Sequence, residues 1–396
     1  MDALMLPLNW QRVKLGDIGK PCMCKRVMKH QTTRYGEIPF YKIGTFGNTA
    51  DAFISKKLFL EYKTKYSFPK KGDILISASG TIGRAVIYDG KPAYFQDSNI
   101  VWIDNDETLV KNDFLFYAYS NIKWNTEHTT ILRLYNDNFR NTLIPLPPLN
   151  EQIAIANILS DVDHYLYSLD ALILKKESVK KALSFELLSQ KKRLKGFNQA
   201  WQRVRLGDIC YLKNGFSFKS DLFKNMGIPI IRISNISSVD NCINTNDLVF
   251  YDPILIDNDY ILKQGDLILA MSGATTGKSC LYNLNKIAYL NQRVGVFRAK
   301  TSFCYDFLVQ FVFSELFTSR LKLILTAGAQ PNISSFDIED FEILLPPLNE
   351  QIAIANILSA LDNEIASLKN KKRQFDNIKK ALNHDLMSAK IRVLKK

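Results

Sequence analysis

Residues Gly273, Gly277, Lys278 and Ser279 follow an apolar run and hold the ingredients of a phosphate cradle: two glycines, a lysine and a hydroxyl. Backbone N–H groups wrap a phosphate when four residues separate the glycines. Here three do, and in the first half of the chain Gly80 and Gly83, ahead of Arg84, enclose fewer still. A turn shared by both halves explains the pattern. Asp51, Glu61 and Lys63 resemble the carboxylates and lysine that hold a divalent metal beside a scissile phosphate. Aligning Gly72-Asp73 with Gly265-Asp266 puts Ile254 and Ile256 opposite Glu61 and Lys63, so the set lacks a second copy and reads as surface charge. The Pro-Pro tetrapeptides, flanked by Leu146 and Leu149, lack the polar side chain with which an amino-methyltransferase holds its target amine. Cys22 and Cys24 form a lone C-x-C without the second pair a zinc site needs. No histidine neighbours a serine or cysteine in a triad-like motif. The chemistry therefore points to binding.

The elements that position these residues come in duplicate. LPPLNEQIAIANILS occurs at Leu146–Ser160 and, unchanged, at Leu345–Ser359; WQRVKLGDI at Trp10–Ile18 returns as WQRVRLGDI at Trp201–Ile209. The 396-residue chain is thus two copies of one unit, each a globular part followed by a helical part. Length predicts two or three domains with ample cores.

The N-terminal stretch has no long apolar run, so no signal peptide is expected. No uncharged apolar stretch reaches the ~18 residues of a membrane span. Six scattered cysteines fit a reducing cytoplasm. A net charge of +13 suggests an anionic partner, nucleic acid first. The charge is uneven: residues 1–149 carry 20 basic and 14 acidic side chains, whereas residues 197–348 carry 14 of each. If the second globular part binds a nucleic acid, its charge balance requires a local basic patch.

Each repeated string leads from a proline pair into a helix of roughly 40 residues, ~60 Å long. Asn150 and Asn349 are expected as N-caps, with Glu151 and Glu350 on the positive helix end. Ile155, Val162, Leu169 and Leu183 recur at multiples of seven, with Leu159, Leu166, Ile173 and Leu187 as the companion row. The second helix repeats this with Ile354, Leu361, Leu368, Phe375 and Leu382, beside Leu358, Ile365 and Leu386. These are coiled-coil seams. Lys176 and Lys180 interrupt the first and Lys372 and Lys379 the second. Pairing the two helices antiparallel covers both stripes and relates the globular parts by a pseudo-twofold axis.

Between the helices, short apolar runs with turn residues read as strands: GDILISASG (Gly72–Gly80), AVIYDG (Ala85–Gly90), IPIIRISNI (Ile228–Ile236) and GDLILAMSG (Gly265–Gly273). Asp306–Lys322 reads as one helix. The expected class is α+β: two mixed globular domains (1–149 and 197–348) and two long helical regions (150–196 and 349–396).

The W-x-x-V-x-L-G-D-I openings and L-P-P-L-x-E-Q helix starts, with GDLILAMSG, LNQRVGVF (Leu290–Phe297) and GAQPNIS (Gly328–Ser334), resemble the specificity subunit of a type I restriction-modification system over almost the whole chain. At the places of the last two motifs the first copy has YFQDSNIVWI (Tyr94–Ile103) and ILRLYNDNF (Ile131–Phe139). The resemblance implies a subunit without catalysis of its own. Each globular part is then a target recognition domain reading one half of a bipartite site in double-stranded DNA. The conserved helices set the half-site spacing and dock methyltransferase subunits. S-adenosylmethionine and ATP are expected only on partners, the latter on a restriction and translocase subunit. A stand-alone tandem DNA-binding regulator is the alternative. Base readout calls for polar side chains on loops: Arg34, Lys42, Thr45, Arg133 and Asn136 in the first domain, and Lys219, Arg232, Asn235, Lys278, Arg293, Gln330 and Asn332 in the second.

Overall fold

The structure, a computed structural model, describes residues 7–124, 127–128, 132–134, 136–237, 241–327 and 332–393. They pack as two units: Met1–Asp170 with Asn370–Lys396, and Ala171–Lys369. Packing thus divides the chain differently from its linear order, because each long helix gives one half to each unit.

In the first unit an antiparallel four-stranded sheet runs in the order Gly19–Met23, Ile100–Asn105, Ile74–Ser77, Ala85–Ile87. Strand side chains alternate between faces. Ile74 and Ile76 accordingly join one core with Val101, Ile103 and Phe114, while Leu75 joins another with Trp102, Tyr94 and Phe40. Both faces being covered, the strand is a continuous apolar run. The second core holds a small sheet in which Ile38–Tyr41 pairs parallel to Tyr94–Phe95. The second unit repeats this plan: Cys210–Asn214, Val294–Ala299, Leu267–Ala270, Ser279–Leu281, with Ile228–Ile231 parallel to Ala288–Leu290. The stretch expected as one helix is two, Tyr305–Val312 and Glu315–Ala327. The Phe313 N–H still bonds Val309, but the Ser314 N–H closes a tighter turn onto Phe311.

The long helices span Leu149–Leu188 and Leu348–Met387. Their starts correct the expected caps. The Gln152 N–H donates to the Pro148 carbonyl, as Gln351 does to Pro347, so the proline opens each helix. Asn150 and Asn349 lie inside the first turn, each accepting from the next residue's N–H. Among the described residues no helix is long and apolar enough to cross a membrane.

The helices pair antiparallel within each unit. Ile155, Leu159, Leu166, Leu169, Ile173, Leu187, Ile354, Leu358, Ile365 and Leu386 are buried. Val162, Leu183, Leu361, Leu368, Phe375 and Leu382 are half-buried, with the Phe375 ring 4.6 Å from that of Tyr165. The lysines that break the heptads meet carboxylates across the pair. In the first unit Lys379 pairs with Asp163 and Lys372 with Asp170 at 3.0 Å; in the second Lys180 pairs with Asp362 and Lys176 with Glu364 at 2.8 Å. The Asp163–Lys379 and Lys180–Asp362 pairs are the same interaction 199 residues apart.

The seam ends do more than pair. Ile155 and Leu159 enter the core holding Trp10, Leu115 and Phe139; Leu187 and Leu358 enter a core with Phe307. Helix-on-helix and helix-on-domain packing therefore coexist. A polar joint locks each junction. Glu151 is 2% exposed and accepts from Trp10 Nε1 at 3.1 Å and, in bidentate fashion, from Arg392 at 2.7 and 3.0 Å. Glu350 is fully buried and accepts from Trp201 Nε1 at 2.8 Å and from Arg193 at 2.7 and 3.2 Å. Charge-assisted bonds of this kind are worth ~1.5–3 kcal/mol each. They explain why Trp10, Trp201 and the Asn-Glu-Gln strings are duplicated when the intervening loops are not.

Candidate nucleic-acid interface

At one end of the central sheet of the second unit, three loops converge on Ala270 and Met271. The Ala270 N–H donates to the Lys278 carbonyl at 2.8 Å, the Met271 N–H to the Arg293 carbonyl at 3.0 Å, and the Ile333 N–H to the Met271 carbonyl at 2.9 Å. Lys278, Arg293 and Asn332 are thereby gathered from three segments onto one strand end. A fourth loop joins through Thr275, whose hydroxyl donates to the Ile233 carbonyl at 3.0 Å. Arg293 and Asn332 are exposed and Lys278 is half-buried.

The first unit builds the same frame. The Ser77 N–H donates to the Arg84 carbonyl, the Ala78 N–H to Asn99, and the Leu134 N–H to Ala78, at 3.0, 2.8 and 2.9 Å. The Lys42–Thr45 turn docks here because the Ile43 N–H donates to Gln96 Oε1 at 2.9 Å and Arg84 Nη1 to the Phe46 carbonyl at 2.9 Å. Gly83 allows the close approach: at φ +84°, a Cβ there would lie 2.1 Å from Trp124 Nε1.

The burial pattern revises the candidate residues. Asn235 is fully buried. Its Oδ1 accepts from the Arg232 N–H at 3.0 Å and its Nδ2 donates to the carbonyls of Asn244 and Asp247, so it braces a loop and is closed to a base edge. Arg232 is clamped to Asp247 at 3.0 Å. Thr45 accepts from the Lys42 N–H at 3.1 Å, and Lys42 meets Asp51 at 2.8 Å, holding that carboxyl below its usual range. Asn136 opens the short helix Asn136–Asn141 and is exposed. Arg34 and Lys219 are exposed on other loops. Gln330 and the side chain of Arg133 lie outside the described residues. The base-reading candidates drawn from the sequence leave out Arg84 and Asn99. Alignment of the strand ends, Ser77 with Ala270, finds both.

The residues that resembled catalytic sets serve other ends. Glu61 pairs with Lys65 at 3.1 Å, and the Lys63 ammonium sits 5.2 Å from the Phe68 ring centroid. The Gly273–Ser279 stretch is a tight turn, the Thr276 N–H donating to the Gly273 carbonyl at 3.1 Å and the Gly277 N–H reaching back to the Ala270 carbonyl at 2.8 Å. Among the described residues no group of three or more His, Cys, Asp or Glu could hold a metal ion.

Two like frames carrying unlike side chains agree with the comparison to known proteins. A model of the type I restriction modification DNA specificity domain matches residues 7–178 and again 198–375. The chain belongs to the type I restriction-modification specificity family. It is 30% identical to the MjaVIII specificity subunit of Methanocaldococcus jannaschii over 99% of this chain and 95% of that one. A putative type I restriction enzyme specificity subunit of Haemophilus influenzae is 64% identical over 148 residues, 37% of this chain and 38% of that relative. The fold is similar to that of the type I S subunit from M. genitalium, with a TM-score of 0.61 at 17% identity, covering 96% of this chain and 98% of that one. Within the specificity family, then, this chain is a two-domain member whose repeats meet the long helices through the Trp-Glu-Arg joints.

Proposed function

We propose that each loop cluster reads one half of a bipartite target in double-stranded DNA, and that the helix pair sets the half-site spacing and docks methyltransferase subunits. The chain itself is non-catalytic on this reading. S-adenosylmethionine then belongs to the methyltransferase and ATP to a restriction and translocase subunit, in a cytoplasmic complex. The observation that carries the reading is the frame shared by Ala78 and Met271, which holds different polar side chains in each unit. Phosphate contacts orient a protein on DNA, whereas base contacts choose the sequence, so one frame with two sets of side chains suits two half-sites. Docking is supported by apolar side chains that the helices leave exposed, among them Tyr167 (77%), Leu174 (64%) and Ile378 (50%).

Replacing residues 19–145 with the corresponding insert of a relative is expected to change one half-site and keep the other, read from the methylated motif. A simultaneous change of both would overturn the modular reading. Spacing is tested by inserting a heptad into both helices, beside Ser178 and Glu364. The Lys176–Glu364 and Lys180–Asp362 pairs show that a one-sided insertion would misalign the seam. The double insertion adds ~10 Å and should lengthen the preferred spacer with both half-sites intact.

Affinity should depend on the assembly. Residues 197–348 carry equal numbers of basic and acidic side chains, 14 and 14, and each phosphate contact adds roughly −0.9 to the salt slope. The isolated chain is expected to bind its target weakly with a shallow slope, and methyltransferase subunits to steepen it. Tight specific binding by the chain alone in a salt titration would favour the stand-alone regulator.

A further inference from the structure

Asn99 and Arg293 occupy one equivalent position in the two frames. Each carbonyl accepts the N–H of the residue that follows the central strand, Ala78 at 2.8 Å and Met271 at 3.0 Å, and that residue's own carbonyl accepts from Leu134 or Ile333. The side chains there are chemically distinct. Arg293 is exposed, and among the described residues no carboxylate pairs with its guanidinium, in contrast to Arg232, which Asp247 holds. Asn99 is half-buried and fixed, its Oδ1 accepting from Ser79 Oγ at 2.8 Å. One lone pair of that oxygen remains, and among the described residues the Nδ2 donors meet no protein acceptor.

In the major groove a guanidinium fork matches the O6 and N7 acceptors of guanine, and a carboxamide matches the N6 donor and N7 acceptor of adenine. We propose that Arg293 and Asn99 are specificity-determining residues at this shared position, Arg293 selecting a guanine in one half-site and Asn99 an adenine in the other. Ser79 is a positioning residue, holding the Asn99 carboxamide in one orientation. The assignment rests on the reading of the loop clusters as DNA-facing and adds which base type each one takes.

The test is selection from a randomised duplex DNA library by the chain assembled with its methyltransferase partner. Arg293→Ala should relax one G·C position of one half-site, with roughly 5- to 150-fold loss of preference there, and leave the other half-site unchanged. Asn99→Ala should relax one A·T position of the other half-site, and Ser79→Ala should weaken the same position less. Arg293→Lys, which keeps the charge and loses the planar fork, should relax the same G·C position less than Arg293→Ala does, because an ammonium still reaches O6 and N7. An unchanged thermal melt separates these effects from misfolding. An unaltered motif, or relaxation at a pair of the other type, overturns the assignment. The underlying reading fails separately, if exchange of residues 19–145 alters neither half-site.

Discussion

Arg193→Ala is expected to destabilise the second unit by about 3–5 kcal/mol, the cost of leaving a buried carboxylate without its partner. Glu350 is fully buried, and Arg193, 26% exposed at its side chain, is the only cation paired with it among the described residues. Trp201 Nε1 still donates to it at 2.8 Å, but one neutral donor does not balance a full charge. In a thermal melt the loss corresponds to roughly 6–20 °C for a unit of this size. Adding Glu350→Gln removes the charge while keeping the acceptor for Trp201, so the double variant should recover most of the loss. If Arg193→Ala costs less than about 1 kcal/mol, or the double variant is no better than the single, the joint is not held by this charge pair. Arg392→Ala should do the same in the first unit, where Glu151 is 2% exposed at its side chain.

Leu169→Asp should cost several kcal/mol and abolish assembly with a methyltransferase. Leu169 is 6% exposed in the seam. The substitution forfeits the apolar burial, ~1.5–3 kcal/mol, and places an unpaired carboxylate in apolar surroundings. It also stands beside Asp170, which the seam uses to hold Lys372 at 3.0 Å and to raise that ammonium's pKa through their hydrogen bond. Tyr167→Asp, two residues away but 77% exposed, should leave stability within about 0.5 kcal/mol. If the outer face of the helices docks the partner, Tyr167→Asp weakens assembly while the melt stays in place. Equal destabilisation by the two substitutions would contradict the seam described here.

The lysines show where sequence pattern and packing part company. In a heptad count, Lys176, Lys180, Lys372 and Lys379 are interruptions. In the fold they are ion pairs set at the seam, and their aspartate and glutamate partners lie 182 to 216 positions away along the chain. Periodicity weighs a residue against its neighbours in one helix and has no access to the facing helix. Asn150 is a similar case: its type favours a cap, but the helix start was decided by Pro148, whose carbonyl takes the Gln152 N–H. Asn235 shows the limit for loops. Its polarity and loop position suggested a base contact, and only the convergence of the Asn244 and Asp247 carbonyls reveals a brace.

The amino-acid sequence by itself determined the duplication, the two long helices and their apolar stripes, and the central strands around Ile74–Ser77 and Leu267–Ala270. Each of these is written in local periodicity or literal repetition, which needs no knowledge of the partner surface. The tertiary structure alone decided which half of each helix serves which unit, that Trp10, Glu151 and Arg392 form one joint, and that Lys278, Arg293 and Asn332 share one strand end. Those arrangements join residues that are remote in the chain. Their energy comes from burial and charge pairing, and neither exists until the chain has folded.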